Sequence, residues 1–293
     1  ALMRLGASAK DCDFIGLTRK EVDLRDQKAV ASQLASLRPD VVLHAAAKVG
    51  GIQANIKNPV GFLSDNVLID QAVINGSVSA GVENFVYFGS SCMYPRDYRQ
   101  PLVETDILAA PLEPTNLGYA LAKITGSEMT DSVARETGLA YRTLIMSNLY
   151  GPGDNFDPSS SHLIAATLTK AHQAKIDGLD HIDVWGDGEA RREFTYVDDV
   201  ARWVIDELSS IPVWPSRMNI GAGTDHSIND YYLQALETVG HRANLVHDLS
   251  KPVGMHQKLM DSSYASLNSN WNPPTPLAIG YKITYAAYLE KGQ

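Results

Sequence analysis

The chain has 293 residues, 44% of them hydrophobic and 20% charged, and a net charge of −9. This composition suits a globular protein with a sizeable core, and the acidic balance argues against nucleic acid as a partner. No apolar run approaches the roughly 20 residues of a membrane span, so no membrane association is expected. No secretory signal is visible, and two cysteines, Cys12 and Cys92, are too few for a disulfide scaffold, which reads as a cytoplasmic setting. The eight histidines are scattered without metal-ligand spacing, so no metal is expected.

In chain order, Ala1 to Gly6 reads as the end of a helix and Phe14 to Leu17 as a strand. Gln27 to Leu37 is helical and stops before Pro39; Val41 to His44 is a buried strand running into Ala45-Ala46-Ala47. After Pro59 a long helix carries Phe62, Val67, Ile69, Val73 and Ile74 near helical period. Phe85 to Phe88 is the next strand, closed by Gly89-Ser90-Ser91. A helix spans about Asn116 to Glu136 up to Gly138, followed by a strand from Tyr141 to Met146. This alternation predicts an α/β, Rossmann-type, doubly wound parallel sheet, whose ligands bind beyond the carboxyl ends of the strands.

Past Tyr150-Gly151-Pro152-Gly153 proline, glycine and serine become frequent. Asn155 to Ser161 reads as a loop, Ile182 to Trp185 and Phe194 to Val197 as short strands, and a last helix follows Trp271 to Pro276. The expected division is residues 1–151 for a dinucleotide-binding domain, rejoined by part of 193–220, and 152–293 mainly for a smaller substrate-binding lobe. No G-x-G-x-x-G occurs. Such a turn brings backbone N–H groups to a pyrophosphate, so the first strand and its glycine-rich loop are expected to be absent from these residues. The alternative is a nucleotide-binding module without activity.

Tyr119 and Lys123 lie four apart in a predicted helix and so share one face. A nearby ammonium favours the phenolate, which suits such a tyrosine to proton exchange with a carbonyl. Alone, Tyr-x-x-x-Lys is a weak signal that more often describes two helix-surface residues. Ser90 and Ser91, directly after a buried strand and about 30 residues earlier, make the combined pattern more specific.

At these residues the chain resembles the extended short-chain dehydrogenase/reductases that act on nucleotide sugars. The match tightens to their GDP-L-fucose synthase branch, the 3,5-epimerase/4-reductases of GDP-4-keto-6-deoxymannose. Ala45 to Ile52, Gly89 to Pro95, Leu112 to Asn116, Tyr119 to Lys123, Asn148 to Pro152, Asp154 to Phe156, Ser161-His162, Trp185-Gly186 and Arg192 to Phe194 carry it, in order along nearly the whole chain. The resemblance implies that Ser90 and Tyr119 polarise and protonate a 4-keto oxygen with support from Lys123. It implies that Cys92 and His162 exchange protons at the two carbons flanking it. NADP(H) is the implied cofactor: Arg19 at a basic turn would meet a 2′-phosphate. Ala45 and Ala46 would line its adenosine half, and Phe88, Gly89, Ser90, Ser91, Met146, Ser147, Asn148 and Leu149 its nicotinamide half. His162, Lys170, Trp185, Arg192 and Lys258 would bind the GDP-sugar. Lys170 stands where arginine is frequent, and Gly254-Met255-His256-Gln257 departs from the usual Gly-Thr-Pro-Arg. A homodimer joined through the two long helices is the further implication.

Overall fold

The first sheet takes its form from strands that are apolar on both faces, which only a covering of helices on each side can bury. A computed structural model describes residues 1–9, 12–158, 160–251 and 254–290. In the first half lie α1 (Leu2–Gly6), α2 (Gln27–Leu37), β1 (Val41–His44), α3 (Ile52–Lys57), α4 (Pro59–Ser79), β2 (Asn84–Ser90), α5 (Leu117–Thr137) and β3 (Ala140–Met146). Then come β4 (Asn148–Tyr150), α6 (Leu163–Asp177), β5 (His181–Trp185), β6 (Arg191–Tyr196), α7 (Val197–Asp206), β7 (Arg217–Ile220) and β8 (Asp225–Ser227). The chain continues through α8 (Ile228–Val239), β9 (Asn244–Asp248), β10 (Gln257–Lys258), α9 (Ser263–Ser269) and α10 (Leu277–Glu290).

The main sheet runs β1-β2-β3-β7, all parallel. Successive residues of β2 point to opposite faces. Phe85 and Tyr87 enter a core with Val30 and Leu34 of α2 and Ala72, Val73 and Ile74 of α4, while Val86 joins Leu144, Val200 and Trp203 on the other face. There Trp203 stacks on Trp214 with centroids 4.9 Å apart and meets Trp271 edge-on. Such pairs contribute about 0.5–1.5 kcal/mol each beyond area burial. Trp271 donates through Nε1 to the Gly221 carbonyl at 2.8 Å, tying the last loop to the end of β7.

Local signals set the element ends. Asp26 caps α2 by accepting from the backbone N–H groups of Lys28 and Ala29 at 3.0 and 3.1 Å. Gly138 ends α5 with φ 76°, a left-handed conformation that glycine adopts without steric cost.

The second lobe has a sheet β10-β6-β4, with β8 antiparallel to β6, and a parallel pair β5-β9. Its core joins Leu168 and Ala171 of α6, Tyr231 and Leu236 of α8 and Tyr281 of α10 to Val184 and Phe194. Residues 193–220 straddle the two lobes: β6 belongs to the second sheet, whereas α7 and β7 pack into the first.

Two expectations need correction. Phe14 to Leu17 is not a strand, although Leu17 packs on the core. Apolar residues favour extended backbone, but a ladder requires a hydrogen-bonding neighbour, and none of the paired strands among the described residues adjoins this stretch. Val197 opens α7 rather than ending a strand, because Asp198 and Asp199 place acids in a first helical turn. Among the described residues no helix is long and apolar enough to cross a membrane.

Candidate active site

The end of β2 is the organising point. Ser90 is extended, and its Oγ accepts from the Cys92 backbone N–H at 3.2 Å, capping the tight turn Ser91–Met93. That turn brings the half-buried Cys92 against β10 of the second sheet. Asn116 Nδ2 donates to Cys92 Sγ at 3.3 Å, and the Lys258 ammonium lies 3.7 Å from the same sulfur. Lys258 is nearly buried and comes from β10, where it is the register partner of Arg192 on β6. Burial lowers the Arg192 guanidinium pKa, while attraction to Glu113 and Cys92 opposes that shift. Two cations of the second lobe thus converge on a sulfur held by the first.

Tyr119 and Lys123 sit in the first two turns of α5, as their spacing predicts. The Tyr119 hydroxyl lies close to the Ser90 side chain. Burial, then the proximity of Cys92, raises its pKa well above the usual phenol value; the nearby Ser90 hydroxyl opposes the rise. The phenol is therefore protonated near neutrality, the form required of a proton donor. Lys123 is buried, donates through Nζ to the Phe88 carbonyl at 2.9 Å, and lies 4.5 Å from the centroid of the Tyr87 ring. Burial lowers its pKa and Asp70 counters that shift.

Other predicted residues lie further out. Arg19 is exposed in the turn Thr18–Glu21, near enough to Asp23 and Asp65 to lower both carboxyl pKa values, though other groups act on each more strongly. Ala45 is exposed and Ala46 half-buried beyond β1; Phe88 is half-buried and Gly89 and Ser91 buried. Met146 is buried, Ser147 Oγ is bonded to Thr195 Oγ1 at 2.7 Å, Asn148 Nδ2 donates to the Glu193 carbonyl at 2.9 Å, and Leu149 packs on the adjoining core. That segment joins the lobes. His162 is exposed at the start of α6, with no hydrogen bond to Cys92 among the described residues. Lys170 Nζ donates to the Asp183 carbonyl at 2.8 Å and to the Tyr232 hydroxyl at 3.1 Å, so its charge is turned onto the lobe itself. Trp185, at the end of β5, is 51% exposed, with the Lys251 ammonium 5.8 Å from its ring centroid.

Sequence reasoning missed Asn116 as a partner of Cys92, although it lay in the Leu112–Asn116 stretch. It also missed His44, Asp70 and Tyr87 beneath Lys123. One signal was available: Asp70 falls between Ile69 and Val73 on the core face of α4, and a buried acid requires partners. As a whole the end of β2 gathers a serine hydroxyl, a phenol, a buried ammonium and a half-buried thiol beside Lys258, groups able to exchange protons with a carbonyl compound.

The model of the NAD dependent epimerase/dehydratase family matches residues 3–221. This chain belongs to the NAD dependent epimerase/dehydratase family. Within it, a GDP-L-fucose synthase of Azorhizobium caulinodans is 41% identical over 283 residues, 97% of this chain and 90% of the relative. A GDP-L-colitose synthase of Yersinia pseudotuberculosis is 38% identical over 284 residues, 97% of this chain and 92% of that one. A solved GDP-mannoheptose C4 reductase of Campylobacter jejuni with NADP bound has a TM-score of 0.84 at 29% identity, covering 94% of this chain and 90% of the other. The family match spans the sheet and the segment 90–123 on which the site is built.

Proposed function

We propose that the protein is an NADPH-dependent 3,5-epimerase/4-reductase that converts GDP-4-keto-6-deoxy-D-mannose to GDP-L-fucose. The observation that carries this reading is the placement of Cys92, beside the Ser90–Tyr119 pair and facing Lys258. Reduction alone needs no base on the carbons flanking the ketone; proton exchange there does, and a thiol is suited to supply it.

The donor set fits NADP(H). Arg19 supplies an exposed cation beyond the first lobe's core for a 2′-phosphate, Ala45 and Ala46 keep the end of β1 sterically open, and Lys123 offers a buried ammonium beneath the cleft. Bound there, NADPH supplies the hydride. Tyr119 donates its phenolic proton to the ketone oxygen, which Ser90 also polarises. Cys92 removes or returns protons on one face of the sugar and His162 serves the opposite face. Asn116 and Lys258 hold the sulfur in place. Arg192 and Trp185 hold the GDP portion, while Lys170, bonded to the Asp183 carbonyl and the Tyr232 hydroxyl, braces the lobe behind them. In this reading residues 1–151 with part of 193–220 bind the cofactor and 152–293 mainly the substrate. The enzyme works in the cytoplasm as a homodimer joined through α4 and α5, whose Leu68, Leu117 and Leu121 are exposed in the single chain.

The test is full-length enzyme with this substrate and NADPH in deuterated water. Consumption of NADPH with deuterium at both inverted carbons supports the reading; NADPH consumption without either inversion removes the epimerase half. A second reading, reduction and epimerisation of another GDP-deoxysugar, is favoured by the near-equal similarity to the colitose enzyme. Turnover of a 3-deoxy substrate in preference to the 3-hydroxy one selects it.

A further inference from the structure

Beneath Lys123 lies a polar group of three residues that the reaction just described does not use. Asp70 of α4 is 2% exposed, His44 at the end of β1 is 3%, and Tyr87 of β2 is fully buried. The His44 Nε2 lies 2.8 Å from one Asp70 oxygen, and the Tyr87 hydroxyl donates to the other at 2.7 Å. His44 and Tyr87 are register partners on adjacent strands, so the sheet presents both to one carboxyl group. The helix opposite makes room for them. A methyl group on Gly126 of α5 would stand 2.8 Å from Asp70 Oδ2 and closer still to the Tyr87 hydroxyl. Gly126 is three residues after Lys123, so α5 packs this network with the face that bears the lysine. The Tyr87 ring is the platform on which Lys123 Nζ rests.

A buried carboxyl with two hydrogen-bonded partners is costly to desolvate, and an apolar trio of equal volume packs an α/β core at least as well. The arrangement has an evident electrostatic effect: a negative charge in low dielectric behind a buried ammonium opposes the loss of its proton. We propose that Asp70, held by His44 and Tyr87, is a positioning residue that keeps Lys123 an ammonium and so sets the alkaline limit of the reduction. The proposal rests on the assignment of Lys123 to that reaction. The groups against Lys123 are Asp70 from α4, through its charge, and the Tyr87 ring and Phe88 carbonyl from β2; His44 from β1 acts on it through Asp70, and Tyr119 on its own helix lies near Asp70 and Tyr87 with Cys92 beyond. Of these, Asp70 is the group whose charge favours the ammonium, against burial.

The sign follows. Loss of the Asp70 charge makes Lys123 easier to deprotonate, so its titration moves to lower pH. An opposite charge at close range shifts a group by about one unit or more, a tenfold change in proton affinity. The test uses full-length protein labelled with 13C at lysine Cε, without cofactor or substrate, and Lys123→Arg to assign the signal. In Asp70→Asn the Lys123 midpoint falls by about one pH unit, and Asp70→Glu restores it. If the asparagine variant fails to fold, the triple variant His44→Leu, Asp70→Leu, Tyr87→Phe replaces the network with apolar groups and keeps the ring under Lys123; the same fall is expected. An unchanged midpoint in the folded variant overturns the proposal. No substrate enters this measurement, so an error in the proposed reaction leaves its outcome intact. Where that reaction is observed, the alkaline limb of kcat/KM moves by the same interval, which a purely structural role would leave in place.

Discussion

Glu193 offers the sharpest test of the energetics that join the two lobes. It lies on β6, is 1% exposed, and accepts from the backbone N–H groups of Gly223 at 2.8 Å and Met260 at 3.0 Å. Burial raises its pKa from 4.5 to about 7, against the two backbone bonds that lower it. A raised carboxyl binds a proton more tightly folded than unfolded, so its contribution is fully present below the unfolded value and is lost as pH rises through 7. At about 1.4 kcal/mol per unit, the whole change is about 3 kcal/mol. In Glu193→Gln that titration vanishes. The amide also faces one N–H with its own NH2 group, a pH-independent loss of about 1–3 kcal/mol. Urea denaturation of both proteins between pH 4.5 and 8.5 separates the two effects. The stability of the wild type relative to the variant should fall by about 3 kcal/mol as pH rises across that range. A difference constant with pH would refute the reasoning, because Glu193 would then titrate alike in the folded and unfolded states.

Tyr119→Phe removes the proton donor and should slow NADPH oxidation by about 10²–10⁴-fold, while deuterium uptake at the carbons flanking the ketone persists in part; reduction at wild-type rate would contradict the role. Cys92→Ser should reverse that pattern, with exchange crippled, as read by NMR of substrate recovered before NADPH is added. Gly126→Ala should cost about 1–3 kcal/mol in a thermal melt, because its methyl meets the Tyr87 hydroxyl and Asp70 Oδ2 inside a packed core.

Much of the fold was legible because local chemistry and tertiary demand agree. Gln27–Leu37 has a capping acid before it and a proline after, and its observed bounds equal those read from the sequence. Val41–His44 and the strand before Ser90 are apolar on both faces, which only a covered parallel sheet accommodates. The reading of Phe14–Leu17 failed for the complementary reason: residue type encodes an extended backbone, but pairing belongs to the neighbour. At the site, Tyr119 and Lys123 could be placed by helical spacing alone. The partnership of Cys92 with Asn116 and Lys258 could not, since those residues lie 24 and 166 positions away and reach the sulfur only through the tertiary fold, Asn116 from the start of α5 and Lys258 from β10 of the second sheet. Lys170 shows the limit of residue type as a guide. A cation at a plausible position is spent on the Asp183 carbonyl and Tyr232. Asp70 shows the opposite: an acid on a core face was a visible signal, but its meaning depended on seeing Lys123 above it.

The most direct measurement of the central claim is a single-turnover reaction of full-length enzyme with GDP-4-keto-6-deoxy-D-mannose and NADPH in deuterated water. Product stereochemistry and deuterium content are read together. One NADPH oxidised per product, GDP-L-fucose as the sugar nucleotide, and deuterium at C3 and C5 are expected. A product reduced at C4 but unlabelled and uninverted at both carbons would contradict the assignment of Cys92, and with it the reading of the cleft as a site for both reactions.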